Sequence, residues 1–232
     1  MSDWLGPQEW QAVALSLKVS VWATLLSLPL GVLVAYALAR GDFRGKQVLN
    51  GLVHLPLILP PVVTGYLLLL TFGRRGLIGG WLEETFGLVL AFRWTGAVLA
   101  AAIMAFPLMV RAIRLGIEAV DPRLEQAAAT LGASRVWVFA TITLPLILPG
   151  LITGAVLGFA KAMGEFGATI TFVSNIPGQT QTLPTAIYTF LQIPGGETSA
   201  LRLVGVSVGI AMAALLASEL LARRAAKRVA GE

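Results

Sequence analysis

The sequence predicts an all-α fold, a polytopic bundle of membrane-spanning helices, on three observations. Of its 232 residues, 56% are hydrophobic and only 12% are charged, with a mean hydropathy of +0.81. A soluble domain carries about 25% charged residues, so this chain has too little polar surface to cover a globule in water. Five apolar stretches approach or exceed the roughly 20 residues that a helix needs to cross a bilayer. The basic residues are concentrated in short segments between these stretches and in the tail.

Five spans are therefore predicted within a single transmembrane domain, residues 1–232. The second span contains Pro56, Pro60 and Pro61, so we expect it to be kinked or partly unwound. A further apolar piece at 183–193 would cover about 16 Å as a helix, which is too short to cross. We expect that piece to lie at the outer surface. The predicted spans are about 12–39, 49–72, 96–113, 148–172 and 203–221.

The basic residues predict the orientation of the chain. With an odd number of spans, the segments after spans one and three and the tail share one side, which the positive-inside rule assigns to the cytoplasm. The N-terminus is then periplasmic and the C-terminus cytoplasmic. Three arginines in the loop at 73–95 would lie outside, against the rule. The residues that set the orientation are Arg40, Arg44, Lys46, Arg111, Arg114, Arg123, Arg135, Arg223, Arg224, Lys227 and Arg228.

Several kinds of chemistry are excluded by composition. The chain has no cysteine and one histidine, His54, so it can build no disulfide, thiolate metal site or multi-histidine metal site, and no Ser-His-Asp set can be built beyond this single histidine. The Gly-Lys pair at 45–46 lacks the flanking residues of a nucleotide-binding loop. An intramembrane hydrolase would need two facing acids, and Glu165 is the only clear one within a span. The net charge of +5 is not arranged as a nucleic-acid-binding stripe. We expect no catalytic or metal site and no bound cofactor, so a partner chain must supply energy for any active process.

One polar segment, residues 121–145, stands apart from the apolar spans. Asp121 and Pro122 are typical of a helix start, and Gly132 is typical of a helix end. Between them, alanines 127–129 favour a helix with a smooth surface that another protein could approach closely. From the residues alone, an ordinary amphipathic connector and a docking helix remain equally good interpretations.

The spacing within this segment resembles the cytoplasmic loop of ABC importer permeases. The family pattern is Glu-Ala-Ala, three residues, Gly, nine residues, Ile, one residue, Leu-Pro. The chain departs from it at Gln126, which takes the glutamate position, with Glu125 one residue earlier. In the family this loop forms the coupling helix that docks in a groove on the ATPase subunit, and we expect Leu144-Pro145 and Pro149 to join it rigidly to the spans. The coupling residues that the resemblance implies are Glu125, Gln126, Ala127, Ala128, Gly132, Ile142, Leu144 and Pro145.

The resemblance covers nearly the whole chain. The stretches HLPLILPPVVTGYLLL, FPLMVRAIRLGIEAVDPRLEQAAATLGAS and GEFGATITFVSNIPGQTQTLPTAIYTF look like the molybdate branch of these permeases, with the sulfate permeases related through a Gly-Glu-Phe-Gly step. The resemblance implies a type I importer permease with five core spans in the bacterial inner membrane. It also implies a homodimer with the substrate path at its interface, two cytoplasmic ATPase subunits that hold ATP and Mg, and a periplasmic molybdate-binding protein. Sulfate, thiosulfate or tungstate remain alternative substrates. An ion-coupled carrier or a channel is a more distant alternative, since neither needs a docking helix for an ATPase.

Charged and polar residues near the fourth span are candidates for the pathway or gate. Lys161 and Glu165 stand four residues apart and share a helix face. They could line a gate, or pair with each other and hold the span against its neighbours. A carboxylate repels a dianion, so Glu165 is not expected to bind the substrate, but it could position the turn at Phe166. The hydroxyls and amide that follow could offer weak neutral donors to an oxyanion, or could pack helices together. They are Thr169, Thr171, Ser174 and Asn175.

Overall fold

The computed structural model describes residues 4–230, and the side chains up to residue 224. The predicted tail residues Lys227 and Arg228 therefore lie outside the described side chains. Within residues 4–230 the regular structure is entirely helical, which confirms the all-α prediction. The α-helices are α1 (Pro7–Arg40), α2 (Lys46–Ile58), α3 (Pro61–Phe72), α4 (Leu77–Phe86), α5 (Trp94–Glu118), α6 (Pro122–Thr130), α7 (Arg135–Val138), α8 (Leu144–Leu146), α9 (Leu148–Met163), α10 (Gly167–Val173), α11 (Leu183–Leu191) and α12 (Glu197–Ala230), with a π-helical turn (Phe139–Thr143) between α7 and α8.

Three helices, α1, α5 and α12, are each long and apolar enough to cross a membrane alone. Each of them contains a strongly apolar stretch of 18 residues. They contain the predicted stretches 12–39, 96–113 and 203–221, although α1 and α12 begin several residues before those boundaries. By length and composition the count rises to five if each of two bent helix pairs forms one span.

The predicted second span, 49–72, is two helices rather than one. α2 and α3 meet at an angle of 113° across Leu59 and Pro60. The amide of Leu59 still bonds to Leu55 O at 3.0 Å, but Pro60 has no N–H and Pro61 begins the next helix. The prolines therefore produce a sharper break than the predicted kink.

The predicted fourth span, 148–172, is also discontinuous. α9 ends at Met163, residues 164–166 leave the helical path, and α10 begins at Gly167. Upstream, the helical stretch Arg135–Leu146 turns into α9 at an angle of 72°. The Gly164-Glu165-Phe166 step therefore divides the predicted stretch, at the turn that Glu165 was expected to position.

α5 lies at the centre of the bundle. It packs against α1 and α9, and most of its apolar stretch is buried, whereas that of α12 is mostly exposed. Small residues permit this packing, since a Cβ on Gly116 would stand only 3.2 Å from the Cα of Gly150 on α9. The large apolar surface that α12 leaves exposed is suited to lipid or to another protein rather than to water.

The short helix α11 packs into the bundle, and its place at the outer surface stays a prediction. Leu183 and Ala186 are buried, and the amide of Leu183 donates to Ser16 Oγ on α1 at 2.6 Å. The helix packs against α1 and α12 near the N-terminal end of α1. It is therefore part of the bundle, and its polar N-terminal approach is held by buried hydrogen bonds.

Candidate functional site

α6 projects from the bundle, and none of its residues is buried. Asp121 Oδ1 accepts a hydrogen bond from Arg123 N at 2.9 Å and caps the helix, as predicted. Gly132, at φ +87°, adopts the left-handed conformation that ends it. Ala127 is exposed and Ala128 half-buried, so the outward face of the helix is smooth.

Large apolar side chains on and beside α6 are exposed. Leu131 is 89% exposed and Val136 is 78% exposed. Trp137 and Leu124 are also exposed. Such a cluster beside a smooth helix is typical of a surface that another protein covers.

Glu125 connects this projecting helix to the bundle. Its Oε2 lies 3.2 Å from Arg40 Nε, and its Oε1 accepts a hydrogen bond from Thr143 Oγ1 at 2.7 Å. Arg40 Nη2 also donates to Val120 O at 2.7 Å. We call the three side chains Arg40, Glu125 and Thr143 the Glu125 joint. It ties α6 to the last residue of α1 and to the π-helical turn, and Arg40 extends the connection to Val120 in the short link between α5 and α6.

The Glu125 joint is largely shielded from solvent. The side chains of Arg40 and Glu125 are 17% and 15% exposed, and Thr143 is fully buried. The Nε–Oε2 contact is an ion pair rather than an aligned hydrogen bond, because Arg40 Nε has no acceptor of hydrogen-bonding geometry. Charged partners in a partly dry setting interact more strongly than exposed ones.

The π-helical turn gives this region its shape. Phe139 packs edge-on against Tyr36 of α1 with ring centroids 5.2 Å apart. The wider turn lies directly before the Leu144-Pro145 step, and Leu144 packs against the buried cluster around Ile113 and Ile147. Pro145 itself is exposed.

The predicted coupling residues thus divide into two groups. Gln126, Ala127 and Gly132 are exposed on or beside α6, whereas Glu125, Ile142 and Leu144 are half-buried against the bundle. Arg40 and Thr143 were missed as site residues. Arg40 stood out only as one of many basic residues, and nothing in the local sequence indicates that the Thr143 hydroxyl points at Glu125.

Lys161 and Glu165 form the ion pair that their spacing allows. Lys161 Nζ lies 2.9 Å from Glu165 Oε2, and the amide of Ala168 donates to Glu165 Oε1 at 3.0 Å. Glu165 is 3% exposed, and by accepting from Ala168 it holds the first turn of α10 against the break. Both of its oxygens are occupied, so Glu165 stabilises the turn at Phe166, whose ring packs on Tyr188 of α11 at 5.3 Å.

The four polar residues after this break do not converge on one point. Thr171 Oγ1 donates to Gly167 O at 2.7 Å within its own helix, whereas Asn175 Nδ2 donates to Thr189 Oγ1 on α11 at 2.7 Å. Thr169 is buried, and Ser174 adopts a positive φ of 66° where α10 ends. The Oδ1 atom of Asn175 is buried without a partner.

The two broken spans touch each other beside their breaks, a contact that the sequence did not reveal. A Cβ on Gly65 of α3 would stand 2.6 Å from Ala168 O of α10. A Cβ on Gly167 would stand 2.7 Å from Pro61 Cβ. The glycines therefore permit a close crossing of two short helices, an arrangement used where transporters line a path with discontinuous helices.

Comparison with known proteins agrees with this architecture. Residues 27–229 match the family model of the binding-protein-dependent transport system inner membrane component. The chain belongs to this family. It is 63% identical to the molybdenum transport system permease protein ModB of Escherichia coli K12, over 97% of this chain and 98% of that protein. It is 36% identical to the sulfate transport system permease protein CysW of Synechococcus elongatus, over 89% of this chain and 73% of that one.

A solved structure shares the fold. The bacterial ABC transporter involved in import of the acidic polysaccharide alginate superposes with a TM-score of 0.74 at 18% identity, covering 96% of this chain and 81% of that chain. The family match and the identity to ModB confirm the predicted resemblance to ABC importer permeases, and the chain is a membrane-embedded transport permease whose fold the solved structure shares.

Proposed function

We propose that this permease moves molybdate across the bacterial inner membrane as the transmembrane subunit of an ATP-driven importer. The observation that carries the proposal is the 63% identity over nearly the full length to a permease named for molybdenum transport. Molybdate, tungstate and sulfate are all tetrahedral dianions, and the lower identity to the sulfate permease favours the molybdate branch.

The exposed face of α6 is the surface on which we place the ATPase partner. Ala127 allows close approach, and the uncovered side chains of Leu131 and Val136 would be buried by docking. ATP and Mg are bound by that partner, and this chain carries neither. Two copies of the chain, each with one ATPase subunit, form the unit, and a periplasmic molybdate-binding protein delivers the anion at the outer side, where the N-terminus lies.

The Glu125 joint transmits movement of the docked helix in this proposal. When the ATPase subunits close, α6 is displaced, and Glu125 pulls on α1 through Arg40 and on the π-helical turn through Thr143. Two connections to different elements constrain α6 more than a single hinge does. This role supplements the rigid connection that we expected from Leu144-Pro145 and Pro149.

The path itself lies at the interface between the two copies, close to the contact of α3 with α10. The Lys161–Glu165 pair holds the break between α9 and α10 and presents no free carboxylate to the dianion. Thr169, Thr171, Ser174 and Asn175 are the neutral groups that we assign to the neighbourhood of the path.

Uptake into proteoliposomes tests the proposal. The chain would be reconstituted with its ATPase and binding protein, and ATP-dependent uptake of labelled molybdate would be competed by tungstate and by sulfate. We expect tungstate to block uptake and sulfate to leave it unchanged. Block by sulfate would move the substrate to the sulfate branch, and uptake without ATP would contradict the importer mechanism.

A further inference from the structure

Two adjoining cavities of opposite character open on the side of α1 and α5. The first, which we call the apolar groove, has a volume of about 770 Å³ between α1, α2 and α5. The second, the cationic recess, has a volume of about 700 Å³ and contains Lys18 and Arg93. They are continuous, because Leu88, Trp94 and Thr95 line both.

The length of the apolar groove along α5 is close to the thickness of one leaflet of the bilayer. It follows α5 from Trp94 to Phe106, which is about 18 Å at roughly 1.5 Å per residue. Half of a hydrocarbon core about 30 Å thick is about 15 Å. A spanning helix from a second copy would need a groove of about twice this length. One acyl chain, entering from the leaflet at the N-terminal end of α1, fits the length.

The cationic recess has the charge that a lipid phosphate requires. Lys18 Nζ lies 3.6 Å from the ring centroid of Trp94, which fixes the ammonium at the mouth of the apolar groove. Arg93 is exposed and precedes α5 directly. Among the described residues that line the recess there is no carboxylate. Aromatic and basic side chains placed together in this way are typical of the membrane interface.

We propose that these two cavities bind one anionic phospholipid, with its phosphate between Lys18 and Arg93 and an acyl chain in the apolar groove. A free phosphate ion would use the recess alone and would leave an apolar surface uncovered beside it. The lipid occupies the side of the contact between α1 and α5, the most extensive helix pair in the bundle. It would therefore stabilise the position of α1, the helix that Glu125 moves through Arg40 in the proposed function. In the proposed orientation the lipid comes from the periplasmic leaflet.

Native mass spectrometry of the delipidated complex with its ATPase subunits tests this site. Added dioleoylphosphatidylglycerol, dioleoylphosphatidylcholine and glycerol phosphate are the three probes. We expect the anionic lipid to bind at least tenfold more tightly than the zwitterionic one. The double variant Lys18→Gln, Arg93→Gln should lose about tenfold in affinity for phosphatidylglycerol and little for phosphatidylcholine. Arg75→Gln, which removes an exposed cation outside the recess, is the matched control and should bind as the parent does.

The acyl chain is tested by a variant that fills the groove. Ala102→Trp should lower the affinity for both lipids by at least tenfold, because the indole would occupy the space of the acyl chain. If the double variant does not assemble, Lys18→Gln alone should lower the affinity for phosphatidylglycerol about threefold. Equal binding of the two lipids by the parent, or full competition by glycerol phosphate at lipid concentrations, would overturn the proposal. So would a disulfide joining two copies when Leu99 is replaced by Cys, because the groove would then be covered by the second copy.

Discussion

Glu125 should matter more for coupling than its offset from the family motif suggests. At 3.2 Å, the attraction between Arg40 and Glu125 is about 5 kcal/mol at an effective dielectric of about 20 and about 1.3 kcal/mol in water. The two side chains keep 17% and 15% of their exposure, so screening reduces the upper figure. Glu125→Gln keeps an amide oxygen for Thr143 but removes the ion pair and leaves Arg40 uncompensated. We estimate a loss of about 2 kcal/mol in the link between α6 and α1, roughly a thirtyfold shift toward the detached state.

The assay is the number of molybdate ions imported per ATP hydrolysed in proteoliposomes. For Glu125→Gln we expect ATP hydrolysis to persist while uptake per ATP falls severalfold, because the docked helix moves without carrying α1. The charge exchange Glu125→Arg with Arg40→Glu should restore part of the ratio. Glu118→Gln is the matched control, since it breaks a more exposed pair with Arg114 worth at most about 1 kcal/mol. An unchanged ratio in Glu125→Gln, or a parallel loss of uptake and hydrolysis, would refute the reasoning.

Two further substitutions follow from the geometry. Ala127→Arg places a long charged side chain on the exposed face of α6 and should abolish copurification of the ATPase while membrane insertion stays normal; retained ATPase would contradict the docking surface. Gly65→Ala puts a Cβ 2.6 Å from Ala168 O and should cost about 1–3 kcal/mol, seen as a lower thermal midpoint of the purified complex. Gly51→Ala, in open space on α2, should leave that midpoint unchanged or slightly raised, and equal loss in both variants would refute the close crossing.

Short-range patterns account for what could be predicted about the candidate site. The cap at Asp121, the stop at Gly132 and the spacing of Lys161 from Glu165 depend on residues within four or five positions, so the sequence alone suggests them. The partners of Glu125 could not be found in this way. Arg40 is 85 residues away and reaches Glu125 only because α1 and α5 pack along their length.

The two interrupted spans also combine features that local sequence predicts with features that only tertiary contacts decide. Pro60 and Pro61 predict a break, because a proline lacks the N–H that the preceding turn would use, but the angle of 113° depends on where α3 finds a partner. That partner is α10, and the crossing requires Gly65 and Gly167, whose importance is invisible without the contact. The helix α11 was likewise predicted from its length as non-spanning, while its burial depends on Ser16 and the flank of α12.

By itself the sequence determined that this protein is helical and membrane-embedded. It also determined that one segment of small residues has the motif spacing of importer permeases. These properties follow from hydropathy and local periodicity, which are set by neighbours along the chain. The tertiary structure decided which charges are paired, where two broken helices cross, and how the projecting helix is fastened to the bundle. Those features depend on contacts between residues far apart in sequence, and packing selects such contacts only when all the helices are in place.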